Sequence, residues 1–210
     1  DPRLVDAPEG WLNGLGIEDD EGEWRPSARA LLDAKEMATL LNACGRHGRP
    51  ETGMAICLGD RGERLSEALQ LQIDHRNALR EAIVLVQEGG RFGIREMPGL
   101  RYFHGGERIS DTIVGIVAGM LLGDAVPADR PLFGLSAASD GKALVKVSAR
   151  GTRSLVERGL DLSVVMHHAA EAVGGAGGGH NVAAGASVPP GREEEFLRRA
   201  SDIAAEQLSR

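Results

Sequence analysis

Between residues 174 and 180 the chain reads Gly-Gly-Ala-Gly-Gly-Gly-His, five glycines in seven positions, and Asn181-Val182-Ala183-Ala184-Gly185 follows. A stretch so poor in Cβ atoms asks its backbone for unusual turns or close approaches. Unshielded N–H groups there are free to converge on an oxyanion. A helical turn beginning at Asn181 would add its N-terminal partial positive charge at the same place. His180 stands at the mouth of the run, able to donate to a phosphate oxygen. A branched side chain at Gly178 would block the amides and resist positive φ. A flexible linker is the competing reading. Familiar glycine motifs do not fit: no G-x-G-x-x-G frame exists, a helical pattern precedes the run, and no Gly-Lys-Ser/Thr follows it.

The rest of the chain is patterned as α/β. Helical spacing begins at Ser27 and continues through Ala30, Leu31, Ala34, Met37, Ala38 and Leu41, with Gly45 as its stop. Met54 to Leu58 is a short apolar run between glycines, expected as a buried strand. Glu63 to Gln87 carries Leu65, Leu69, Ile73, Leu79, Ile83 and Val86 on one face, a helix of nearly 40 Å at about 1.5 Å per residue. So long a helix often links two lobes, which puts the domain boundary there. Leu100 to His104 is expected as a strand and Asp111 to Leu122 as a helix capped by Ser110 or Asp111. Two strands, Leu132 to Ala138 and Ala143 to Ala149, are joined by the turn Ser139-Asp140-Gly141-Lys142. Helices over Leu162 to Val173 and Glu193 to Ser209 complete the pattern.

Two further places offer chemistry. Period-2 alternation puts Lys146, Ser148 and Arg150 on one strand face, two cations and a hydroxyl suited to an anion. An exposed sheet face gives the same pattern, so both readings stand. In Asn42-Ala43-Cys44-Gly45-Arg46 an arginine follows a glycine stop, which by itself is a C-terminal cap with a dipole-compensating cation. His167-His168 and Asp74-His75 are expected as surface or partly buried residues, and no Asp, His and Glu set has metal-ligand spacing.

Composition narrows the class. The formal net charge is −7, lysine occurs only as Lys35, Lys142 and Lys146, and aromatics are 3% of 210 residues. Scarce aromatics argue against base stacking as the main nucleic-acid surface. An acidic, lysine-poor surface fits a high-salt cytoplasm or a GC-rich genome equally. Cys44 and Cys57, without CxxC spacing, are expected as reduced, buried thiols. The chain opens on Asp1-Pro2, neither a start methionine nor a signal peptide, and its apolar runs are too short to span a membrane. A soluble, cytoplasmic fragment of a longer protein is expected. The turn-rich first 26 residues, with the acidic run Glu18-Asp19-Asp20-Glu21, form an irregular lead-in and a solvated loop.

These motifs together resemble a known family. GGAGGGHNVAAGASVP is similar to the signature of the DHH-associated domain, the substrate-binding C-terminal lobe of DHH phosphoesterases, and VKVSAR resembles its second signature. MATLLNACGRHGRPETGMAICLGD resembles the Asn-Ala-x-Gly-Arg stretch of archaeal RecJ-like single-strand nucleases. The resemblance implies a mixed-sheet domain over residues 91–210, a linking helix over 61–90, and the lead-in and end of a DHH lobe over 1–60. It implies that Ser148, Arg150, Gly177, Gly178, Gly179 and His180 grip a nucleic-acid phosphate. Arg46 would reach toward the scissile phosphate, with Asn42 holding its loop. No metal ligand or catalytic group is expected on this chain. Two divalent ions, manganese or magnesium, would belong to the N-terminal DHH lobe, whose motifs are absent here. The implied partners are single-stranded DNA or RNA, that DHH lobe, and the GINS complex of the replisome, with no membrane. A non-catalytic replisome scaffold and a nanoRNase or phosphatase of the same superfamily remain as alternatives.

Overall fold

A computed structural model describes residues 31, 33–138 and 144–209. The lead-in, the acidic run, the start of the first helix and the Ser139–Lys142 turn lie outside the described residues. The chain divides into two compact units, the first ending at Ala78 and the second starting at Leu79. No described helix is long and apolar enough to cross a membrane.

The first unit is helical. Helix α1 (Ala34–Arg46) is capped by Asp33, whose carboxylate accepts from the Lys35 and Glu36 amides. It runs through Gly45, so the predicted stop is misplaced. The helix ends at Arg46, and the turn after it is made at Gly48, which holds φ 70° while the Arg49 amide donates to the Cys44 carbonyl and Gly48 to Gly45. The strand expected at Met54 to Leu58 is instead the end of helix α2 (Pro50–Cys57). Pro50 supplies a preset φ at the first helical position. Thr52, Gly53 and Ile56 are buried while Met54 and Leu58 are 63% and 84% exposed, a helical rather than a strand pattern. Cys44 is buried as expected, but Cys57 is exposed.

Helix α3 (Glu63–Gln87) matches the predicted span residue for residue. Leu65, Ala68 and Leu69 close the first unit's core with Leu40, Cys44 and Ile56. Two polar residues lie on the same stripe. Gln72 and His75 are buried, and Gln72 Nε2 and His75 Nδ1 have no hydrogen-bond partner among the described residues. His75 is thus more buried than the sequence suggests; its ring meets His47 edge-on at 5.8 Å. Burial lowers its pKa, with His47 and Arg46 adding to the effect.

The second unit is the mixed α/β domain that the strand patterning predicts. Six strands, β1 (Arg95–Glu96), β2 (Arg101–His104), β3 (Leu132–Ala137), β4 (Val145–Arg150), β5 (Ala176–Gly179) and β6 (Ala183–Val188), lie in the order β1-β2-β3-β4-β6-β5. Only β2 and β3 pair in parallel. Helix α4 (Val114–Leu121) crosses between them, since parallel neighbours need such a connection. It starts later than predicted and has no side-chain cap; Ser110 instead accepts from the Thr112 amide in the preceding turn. A short α5 (Arg153–Glu157), then α6 (Leu162–Glu171) and α7 (Glu193–Leu208) follow.

The two sheet faces differ. Val145, Val147, Ala149, Ala184, Ala186 and Val188 point to one side and pack on Val165, Met166 and Ala170 of α6 and Phe196 and Ala200 of α7. The other side is covered by α4 over β3 and β4. That coverage stops short of β6 and β5, and the candidate site lies there. At the far edge, Arg101 is buried and pairs with Glu96 and Asp129, holding the Asp129 carboxyl down at about 2.

Candidate functional site

The glycine run is strand β5 and the residues after it begin β6, so no helical turn follows Asn181. The expected helix-terminus charge is therefore absent. Alternation explains the correction: Ala184, Ala186 and Val188 are buried and the residues between them half-buried, a period of 2. A hairpin turn at His180–Val182 joins the strands. It is pinned on two sides, since Leu162 donates to the Asn181 carbonyl and Gly151 to the Val182 carbonyl.

The glycines at 177, 178 and 179 differ in what a side chain would meet there. A Cβ on Gly177 would lie 2.3 Å from the Met166 carbonyl oxygen, so that glycine lets α6 settle on the sheet. Gly179 holds φ 141° at the entry to the turn. Gly178 has neither constraint: its φ is not positive and a Cβ there would meet nothing within 4 Å. The sequence-based reason for a glycine at 178, positive φ, is wrong. Nor do the three amides converge as a cradle. His180 donates to Ala183, so ladder alternation engages the Gly178 amide with β6 and turns those of Gly177 and Gly179 outward along the edge.

Cross-strand register builds the site row by row. Gly134, Ser148, Gly185 and Gly178 stand in one line across four strands. Opposite residues share a face, so the Ser148 hydroxyl rises beside a floor with no side chains at Gly185 and Gly178. One level along, Arg150 lies opposite Ala183, and His180 pairs with Ala183 from the turn. Arg150 and His180 are thus two strand spacings apart, about 10 Å. On the other flank Lys146 donates through Nζ to Ser187 Oγ at 3.0 Å. Lys146, Ser148, Gly185 and Ser187 line a shallow cavity of about 320 Å³ together with Asp111.

Arg150 is held by a feature the sequence reading passed over. Its Nη1 donates to the Ala149 carbonyl at 2.8 Å, and its side chain lies against Gly115 and Gly119 of α4. A Cβ on Gly115 would fall 2.5 Å from Nη2 and 3.1 Å from the Ser148 Cβ. Gly115 makes room for the guanidinium, and Gly119, four along on the same helix face, lies over the aliphatic stem of the side chain. Their spacing in an apolar segment was the available signal.

Arg46 and Asn42 belong to the first unit. Both are exposed and lie one turn apart on α1, whose last residue is Arg46. Among the described residues, three donors of metal-binding type cluster only at His167, His168 and Glu171, all exposed. They project from α6, which covers the sheet face opposite Ser148 and Arg150. Among the described residues, no such cluster lies beside Ser148 and Arg150.

The DHHA1 domain model matches residues 97–206. An uncharacterized protein of Methanocaldococcus jannaschii is 36% identical over 180 residues, 86% of this chain and 37% of that protein. RecJ of Thermus thermophilus, solved with manganese, superposes with a TM-score of 0.65 at 20% identity, over 86% of this chain and 25% of that one. A manganese-bound exonuclease RecJ gives 0.56 at 20% identity, over 90% and 43%. The chain thus spans well under half the length of these relatives and shares the fold of the RecJ structures. With its glycine strand, its VKVSAR strand and 110 residues under one model, the chain belongs to the DHHA1 domain family.

Proposed function

We propose that this chain is the nucleic-acid-binding part of a RecJ-like, metal-dependent single-strand exonuclease, and that its open sheet face grips a terminal phosphate. The carrying observation is the alignment of Ser148 with the bare Gly185–Gly178 floor, two residues from the slotted Arg150. A tetrahedral oxyanion set on that floor meets the Ser148 hydroxyl from one side. It meets the Arg150 guanidinium as a charge-assisted, two-pronged donor, and His180 stands at the rim. The phosphate fixes the end of the strand; bond cleavage belongs to a DHH lobe carrying two divalent ions, with Arg46 directed at the scissile phosphate.

The test is titration of a short single strand with and without a 5′-phosphate, at fixed salt because salt alone shifts affinity by orders of magnitude. The phosphorylated strand should bind about 10-fold tighter or more, the scale of one charge-assisted contact. Equal affinities would overturn the reading.

The slot gives a second expectation. Gly115→Ala should displace the guanidinium and remove most of this phosphate preference. Gly119→Ala should keep it, since that Cβ would sit 3.8 Å from Arg150 Cγ, an ordinary contact. Gly119→Ala should also gain about 0.5–1 kcal/mol of stability from helix propensity. Thermal unfolding beside the same titration checks both.

A further inference from the structure

Many arginines of this acidic chain are neutralised by carboxylates, as in Arg49–Glu67, Arg101–Asp129 and Arg199–Glu195. Three are not. Arg91, Arg95 and Arg108 form no ion pair among the described residues, yet all three line one cavity of about 510 Å³ with Phe92, His104 and Glu107. One carboxylate against three guanidiniums leaves this cavity with a surplus of two positive charges in a chain whose net charge is −7. Bringing like charges together costs energy unless an anion offsets them.

Phe92 says which kind of anion. The chain has four phenylalanines, and Phe103, Phe133 and Phe196 are fully buried. Phe92 is only half-buried, with the Arg91 guanidinium 4.5 Å from its ring centroid. Paired in this way, the planar cation and the ring form a short stack that a nucleobase can extend, while Arg95 and Arg108 face the backbone phosphates. An acidic peptide would use the arginines but not the ring.

The cavity lies at the end of β2, beside the loop that follows His104. His104 pairs with Leu135, and Leu135 with Val147, so it stands two strand spacings, about 10 Å, from β4, the strand that carries Ser148 and Arg150. We infer that the Arg91–Phe92–Arg95–Arg108 cavity is a second contact for the same single strand, stacking one internal base and holding neighbouring phosphates. This rests on the reading of the chain as a binder of single-stranded nucleic acid.

The experiment titrates unphosphorylated single strands of about 4 and about 15 nucleotides across a salt series, the span of site sizes for such grooves. The triple variant Arg91→Ala/Arg95→Ala/Arg108→Ala should flatten the salt dependence for the longer strand by about 1.4 in the log–log slope, two phosphate contacts at about 0.7 each. Phe92→Ala should weaken the longer strand by about 5- to 100-fold, the range for one stacked base. Phe92→Leu, which keeps the bulk, should weaken it nearly as much. Neither set should change the preference for a 5′-phosphate, so loss of that preference in the wild type would indict the phosphate grip and not this cavity. An unchanged slope in the triple variant would overturn the inference. So would undiminished binding by Phe92→Ala, or a glutamate-rich peptide that displaces the strand and binds Phe92→Ala as well as wild type.

Discussion

Gly177→Val should unfold the second unit or lower its melting temperature by about 10 °C or more, while Gly178→Val one residue away should leave it folded. The first substitution drives a Cβ to 2.3 Å from the Met166 carbonyl oxygen and 3.1 Å from the Ala170 Cβ, against helix backbone that cannot swing aside. Either α6 lifts from β5 and opens the core at Met166 and Ala170, or the strand leaves the sheet edge. Overpacking of this kind costs about 3 kcal/mol or more, and for a unit of this size that is roughly 10 °C. Gly178 has open space where its Cβ would be, and a β-branched residue suits an extended edge strand. Its valine should appear in binding instead, by covering the floor beside Ser148 and removing the preference for a phosphorylated end. Denaturant unfolding followed by titration separates the two effects. Equal destabilisation by both valines would mean that β5 is packed on both faces.

That contrast also marks where sequence stops being readable. Strand β4 was legible because Val145, Val147 and Ala149 alternate with Lys146, Ser148 and Arg150, and burial follows that alternation. Helix α3 was legible because its apolar stripe persists over 25 residues. The glycine run was legible as special, but not as a strand. Glycine carries no side-chain periodicity, and the signal for β5 lay in its partner β6. The same letter serves a close helix approach at 177, an open surface at 178 and positive φ at 179, and only three-dimensional neighbours tell these apart. Gly45 and Gly48 pose the same problem at the end of α1, where the second one holds the left-handed turn. Met54 to Leu58 misled because a short apolar run has no period to measure; Pro50 ahead of it was the better guide. Gly115 and Gly119 only interrupt an apolar run in the sequence, and their meaning depends on Arg150, which the fold brings beneath them.

Arg150→Ala should weaken binding of a 5′-phosphorylated strand by about 10- to 150-fold, equivalent to about 1.5–3 kcal/mol for a charge-assisted hydrogen bond. The unphosphorylated strand should lose far less, because the guanidinium is aimed along the sheet face and not at a run of backbone phosphates. Arg150→Lys decides between charge and geometry. An ammonium keeps the charge but lacks the planar fork that lies in the slot at Gly115, so lysine should recover only a small part of the loss. Affinity and stability are read on the same variants. A melting curve run beside each titration therefore separates a lost contact from a lost fold. Should lysine restore full affinity, the slot would be holding a point charge and the two-pronged grip would be wrong. Should alanine bind phosphorylated and unphosphorylated strands with the wild-type ratio, the phosphate would have to sit elsewhere on the sheet.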